Sequence, residues 1–194
     1  MYWFMNSPMY CRPGGAGTLA TPTDPNQIRL TMRAYASGVT IITARVGEEV
    51  HGMTATAVCS VSLAPPLLLV CVVRWARTHG LIAASGAFAV NLLHQGQREL
   101  ADRFGGRRPD IADRFCGVGY HHAVTGAPIL DDSLGYFDCR VVAAHDGGDH
   151  TIFVGQIEAT GRTGARRPLI YHQGDYLAFP TLEQAGIPLA ETVE

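Results

Sequence analysis

Charge is scarce in this chain and nearly balanced: Asp, Glu, Lys and Arg make up 16% of its 194 residues, and the formal net charge is −2. Without a basic field, nucleic acid and anionic membrane surfaces are poor partners for it. No apolar run approaches the roughly 20 residues that cross a bilayer. No G-x-G-x-x-G occurs, so a separate dinucleotide domain is not encoded. C-x-x-C and H-x-x-x-H spacings are absent too, which removes a structural zinc site. The five cysteines, Cys11, Cys59, Cys71, Cys116 and Cys139, are odd in number and far apart. They read as buried free thiols of a cytoplasmic, reducing compartment, not as a disulfide framework. Cys59 and Ser60 sit in no G-x-S-x-G elbow, so hydrolase chemistry has no foothold. Residues 1–23 lack a basic region followed by an apolar core, and are expected to be a flexible extension rather than a signal peptide.

What the chain does have is apolar mass: 47% of its residues are hydrophobic, enough for one domain with a substantial core. Residues 24–182 are expected to form that domain and residues 183–194 a tail. Asp24 and Pro25 read as a helix cap and first helical position, with Gln27 placed to complete a capping box. Ile28, Met32 and Tyr35 would share one face, and Gly38 would end the helix in a left-handed conformation. Residues 39–46 and 50–56 predict a hairpin around Gly47, Glu48 and Glu49. Thr78 would cap a short helix ending at Gly86, and a second helix is expected over residues 96–104. Strands are predicted over 67–73, 88–93, 134–144, 151–160, 168–171 and 176–179, with residues 105–128 mostly surface loop. Many strands without strand–helix alternation predict a mainly β fold, an antiparallel barrel with a few flanking short helices.

Residues 52–73, GMTATAVCSVSLAPPLLLVCVV, look like the centre of the design. Small and hydroxyl residues, with Thr54, Thr56, Ala57, Ser60 and Ser62 among them, suggest a donor-rich loop whose exit is fixed by Pro65 and Pro66. Such a loop suits a planar polar ring and a phosphate tail; an ordinary turn of a β core is the plainer reading. The second informative stretch is HDGGDH, His145 to His150. A four-residue turn there would set His145 opposite His150, which is compatible with a polar hairpin tip, a metal site or a catalytic role. Arg77 and Arg103 are either solvated charges in surface ion pairs or recognition groups for phosphate.

Several strings occur together and in order: GVTIIT at 38–43, GMT at 52–54, SVSL at 60–63 with Pro65 and Pro66, FAVNLL at 88–93, GDH at 148–150 and PLIY at 168–171. Together they resemble the flavin reductase family, the short-chain NAD(P)H-dependent reductases that feed two-component monooxygenases. The resemblance implies an FMN-binding split β-barrel, a homodimer with flavin sites near the subunit interface, and hydride transfer from NADH or NADPH to FMN or FAD. A non-catalytic flavin-binding electron carrier on the same barrel is the alternative. The resemblance also implies flavin contacts at Val50, His51, Gly52, Met53, Thr54, Thr56, Ala57, Cys71, Val72, Val73, Arg77, Thr78, Arg103 and Phe104. Nicotinamide contacts fall on His150, Tyr171, His172, Gln173 and Gly174, with Asp149 orienting the His150 ring. A phosphate on NADPH would call on Arg107, Arg108, Arg166 or Arg167.

Overall fold

The computed structural model describes residues 24–163 and 166–178. The expected extension over 1–23, with Cys11, and the expected tail over 183–194 lie outside the described residues. Helix α1 (Pro25–Arg33) starts where the sequence predicts, because the Asp24 carboxylate accepts the Asn26 N–H at 3.0 Å. It ends four residues earlier than expected on Gly38. Ala34 closes it in a right-handed conformation, and Gly38 lies in β1 (Ser37–Gly38), paired with Ile170.

Next come β2 (Thr40–Val46), β3 (Glu49–Ala55), β4 (Val58–Leu63), β5 (Pro66–Val73), α2 (Arg77–Ser85), β6 (Ala87–Leu92) and α3 (Arg98–Phe104). After α3 stand β7 (Tyr120–His122), β8 (Pro128–Leu130), β9 (Gly135–Gly147), β10 (His150–Arg162), β11 (Leu169–His172) and β12 (Asp175–Ala178). Seven strands form one antiparallel sheet in the order β3-β2-β6-β9-β10-β5-β4.

That order dictates closure. The edge strands β3 and β4 are neighbours in sequence, joined only by Thr56 and Ala57. Laid flat, seven strands would set the edges about 29 Å apart at the usual spacing, whereas this link spans about 11 Å at full stretch. The sheet therefore curls to bring its edges together, and the Cys71 N–H, donating to the Ala57 carbonyl at 3.0 Å, carries the β4–β5 ladder into the link. The expected mainly β barrel is borne out, and its split lies at residues 56–57.

Inside the barrel pack Ile42, Met53, Leu68, Val70, Val72, Phe88, Val90 and Phe153, with Leu81 and Ile82 of α2 joining the same core. Gly155 makes room for Phe88: a Cβ there would stand 2.7 Å from Cζ of that fully buried ring. β2 is buried on both faces, with Ile42 and Ala44 in the barrel and Ile41 in a second core alongside Leu93, Phe104, Phe115 and Leu169. This is why its sequence, TIITARV, shows no clean alternation of apolar and polar residues. Buried Asp138 accepts the N–H groups of Val124 and Thr125, each at 2.8 Å, and so pins the loop before β8 to β9.

Gly86 ends α2 in the left-handed region, as expected. Thr78 is not its cap, for Ala76 holds that position and Thr78 is buried within the helix. The cysteines from Cys59 onward are free, but only Cys139 is buried; Cys59 and Cys116 are exposed. Among the described residues no helix is long and apolar enough to cross a membrane.

Candidate functional site

The barrel's seam opens into a cavity of about 470 Å³, within the usual range for small-molecule sites. The end of β3 and the link after it contribute Met53, Thr54, Ala55, Thr56 and Ala57, and β5 contributes Cys71 and Val73. His150 lines it from the start of β10, and Tyr171 and Tyr176 from the small sheet β1-β11-β12. The remaining wall is α1 and the residues after it: Arg29, Met32, Arg33, Tyr35, Ser37 and Val39. Among the described residues, no Asp or Glu is part of this lining.

His150 is buried, and its Nδ1 stands 2.7 Å from Oδ1 of Asp149. An ionised carboxylate only accepts, so Nδ1 is the nitrogen that donates to Asp149. The hairpin that delivers this pair is tighter than expected. His150 pairs with Gly147, leaving Gly148 and Asp149 as a two-residue turn, and His145 faces Ile152. The Gly148 φ of 78° supplies the twist. Gly147 and Gly148 are thus strand end and turn, not the middle of a four-residue loop. His145 is exposed, and among the described residues no three His, Cys, Asp or Glu gather to hold a metal.

Of the residues assigned to the flavin, the cavity gathers Met53, Thr54, Thr56, Ala57, Cys71 and Val73; of those assigned to nicotinamide, His150 and Tyr171. From Val58 onward, the stretch expected to be a donor-rich loop closed by Pro65 and Pro66 is a strand pair. Ser60 and Ser62 lie in edge strand β4 opposite Leu68 and Leu67, and Pro66 begins β5. Ser60 and Ser62 are not on the cavity wall, and of the expected donor-rich stretch it is Thr54, Thr56 and Ala57 that reach it.

Val50, His51, Gly52, Val72, Arg77, Thr78, Arg103 and Phe104 are also not on the cavity wall. Val72 faces the barrel core and Phe104 the second core. Gly52 backs onto Phe104, 2.8 Å separating that ring from where a Cβ would stand. Val50 packs against the same core. Arg77 Nε meets Glu49 Oε1 at 2.7 Å. Arg103 Nη2 donates to the carbonyls of Asp113 and Cys116, so it staples the loop after α3. Arg107, Arg108 and Arg166 are similarly committed, to Asp102, to Glu99 and Asp110, and to Asp132. Arg167 borders a separate recess with His94, Gln95 and Gly96. His172, Gln173 and Gly174 lie at the β11–β12 turn beside the cavity, where positive φ at Gln173 (53°) and Gly174 (90°) makes a tight hairpin.

Sequence reading missed the whole α1 wall. The apolar periodicity of Met32 and Tyr35 is visible, but which surface that helix faces is not. Tyr176 also went unassigned; Arg98 and Arg107 stack over its ring at 5.6 and 5.3 Å.

Two shifted groups border the site. Burial raises the Cys71 thiol, with nearby Cys59 adding to the effect, so Cys71 serves as a neutral wall and not as a nucleophile. His51, whose Nδ1 contacts Thr78 Oγ1 at 2.7 Å, is lowered to about 4, first by burial and then by Arg114 and Arg77. In the unfolded chain it titrates near 6.5, so between those values the unfolded state binds more protons. The stability that neutral His51 contributes is present above pH 6.5 and is lost as pH falls toward 4. We expect urea midpoints to drop from pH 7 to pH 4.5 and the drop to shrink in His51→Gln; parallel profiles would contradict this.

The pattern of the flavin reductase like domain matches residues 32–180. The reductase subunit HsaB of a flavin-dependent monooxygenase from Mycobacterium tuberculosis is 35% identical over 160 residues, which cover 81% of this chain and 84% of that protein. The FMN reductase (NADH) RutF of Methylorubrum extorquens is 37% identical over 172 residues, 89% of this chain and 83% of that protein. Among solved structures, the NADH:FAD oxidoreductase SgcE6 of Streptomyces globisporus, in complex with NAD and FAD fragments, superposes with a TM-score of 0.76. It is 34% identical and covers 85% of this chain and 98% of that one. The split barrel expected from the sequence is therefore the fold of solved reductases. With the domain pattern running through β12 and relatives matching over most of their length, the chain belongs to the flavin reductase like domain family.

Proposed function

We propose that this chain is an NAD(P)H-dependent flavin reductase that works at the barrel seam. The observation that carries this reading is the cavity itself. It is walled by residues 53–57, lined by buried His150 held by Asp149, and bordered on the α1 side by Arg29 and Arg33, with no carboxylate among the described lining residues. These residues fit a planar ring system with an anionic tail: backbone amides suit the ring's polar edge, apolar Val39, Met53 and Val73 suit its face, and arginine suits phosphate. When bound there, the flavin accepts a hydride from the reduced nicotinamide.

The chain's own task is to position and to exclude. Asp149 fixes the His150 tautomer and ring plane, so that the imidazole presents Nε2 as an acceptor to a neighbouring carboxamide or ring. Tyr171 and the turn at Gln173 and Gly174 border the side that a transient second substrate would enter. In the absence of a dinucleotide domain, such a substrate is held weakly and exchanges quickly.

The chain acts as a homodimer in the cytoplasm and supplies reduced flavin to a partner monooxygenase. Support for the dimer comes from α1, which buries none of its residues against its own chain while exposing Leu30, Met32 and nearby Tyr35. Steady-state assays with purified protein test the reading. NADH or NADPH oxidation that requires added FMN or FAD supports it. A permanently yellow protein inert to both nicotinamides would instead identify an electron carrier, and the reductase reading would fall.

A further inference from the structure

Arg29 and Arg33 stand one helical turn apart on α1 and both line the cavity, so their guanidinium groups reach the same side of it. Arg33 has no carboxylate partner among the described residues. Its place is set instead by the β11–β12 turn. The Arg33 carbonyl accepts the Gln173 N–H at 2.9 Å, and its side chain lies over Gly174, where a Cβ would stand 3.9 Å from Cζ and Nε. The arginines offered for phosphate by the sequence are different in kind: Arg77, Arg107, Arg108 and Arg166 each hold a carboxylate. A cation positioned at a cavity whose described lining holds no carboxylate is suited to an anion, and the guanidinium fork matches phosphate oxygens.

We propose that Arg33, flanked by Arg29, binds the phosphate of a nucleotide that enters the cavity. The inference rests on the flavin reductase reading and names the part of the substrate that α1 recognises. Flavin and nicotinamide nucleotides both carry such a group, and the chemistry of recognition is common to them.

Arg33→Gln separates the two sources. FMN and riboflavin are titrated by flavin fluorescence, and reduced nicotinamide mononucleotide and reduced nicotinamide riboside are compared as donors to riboflavin. If Arg33 holds the flavin phosphate, the Kd for FMN rises about tenfold or more, as loss of a charge-assisted bond implies, while that for riboflavin stays put. If it holds the nicotinamide phosphate, the KM for the mononucleotide rises by a similar factor and that for the riboside does not. Arg33→Lys recovers part of either loss, since charge remains while the fork is gone. Equal constants in wild type and Arg33→Gln for all four compounds would overturn the proposal, as would parallel losses with and without phosphate. A wild-type protein that binds FMN better than riboflavin through Arg33 yet oxidises no reduced nicotinamide would refute the reductase reading alone.

Discussion

Replacing His150 with alanine slows NADH oxidation by about a hundredfold, at the lower end of what a positioned acid–base side chain contributes, and leaves flavin affinity within about twofold. The split between the two effects follows from where His150 sits. It lines the cavity from the first residue of β10, while the wall proposed to hold the flavin is a different segment, the end of β3 and the link to β4. Removing the imidazole leaves that surface intact. Asp149→Asn is the informative companion. An amide can present its N–H₂ to Nδ1, which favours the opposite tautomer and turns Nε2 into a donor. Its rate should fall without the imidazole being lost. Steady-state kinetics at saturating flavin, paired with flavin titrations, give both readouts; a His150→Ala rate equal to wild type would remove His150 from the reaction.

Phe104→Ala destabilises the fold by about 3–5 kcal/mol, the usual cost of deleting a large buried aromatic. Phe104 is fully buried and meets Phe115 edge-on with ring centroids 5.1 Å apart. It also fills the space over Gly52, and its carbonyl and that of Gly52 both accept from Arg114 Nη1. The ring therefore fastens α3 and the loop after it to β3. Urea denaturation should show the lower midpoint, and the folded variant should keep its flavin affinity, because the ring does not reach the cavity. Unchanged stability with weakened flavin binding would restore the contact that the family resemblance assigned to Phe104.

Much of the architecture could be read from residues alone. The β2–β3 hairpin announces itself through β-branched residues on either side of a Gly47 turn with φ of 56°. The α1 start is a local event, a carboxylate on a nearby N–H, and Gly86 marks a helix end by its backbone freedom. The stretch with Ser60, Ser62, Pro65 and Pro66 reads as loop because serines and prolines carry the same composition in a loop and in an exposed edge strand with a tight turn. What separates the two is the partner strand, and the partner is not local. The histidine hairpin shows the same limit, since turn length depends on which residues pair, and pairing His150 with Gly147 moves His145 out of reach. Arg77 and Arg103 looked like phosphate ligands by type and position, yet their partners, Glu49 and the carbonyls of Asp113 and Cys116, are fixed by tertiary contacts. Arg33 had no local signal at all. Its significance comes from α1 lying over a seam that exists because the sheet's two edges are sequence neighbours.

A crystal structure of the protein soaked with oxidised FMN tests the central claim most directly. The account predicts the ring system in the seam cavity, its edge against the backbone of residues 53–57 and His150 beside an open face. A ring bound elsewhere, at the recess bordered by His94 and Arg167 or on the exposed edge of β4, would contradict it.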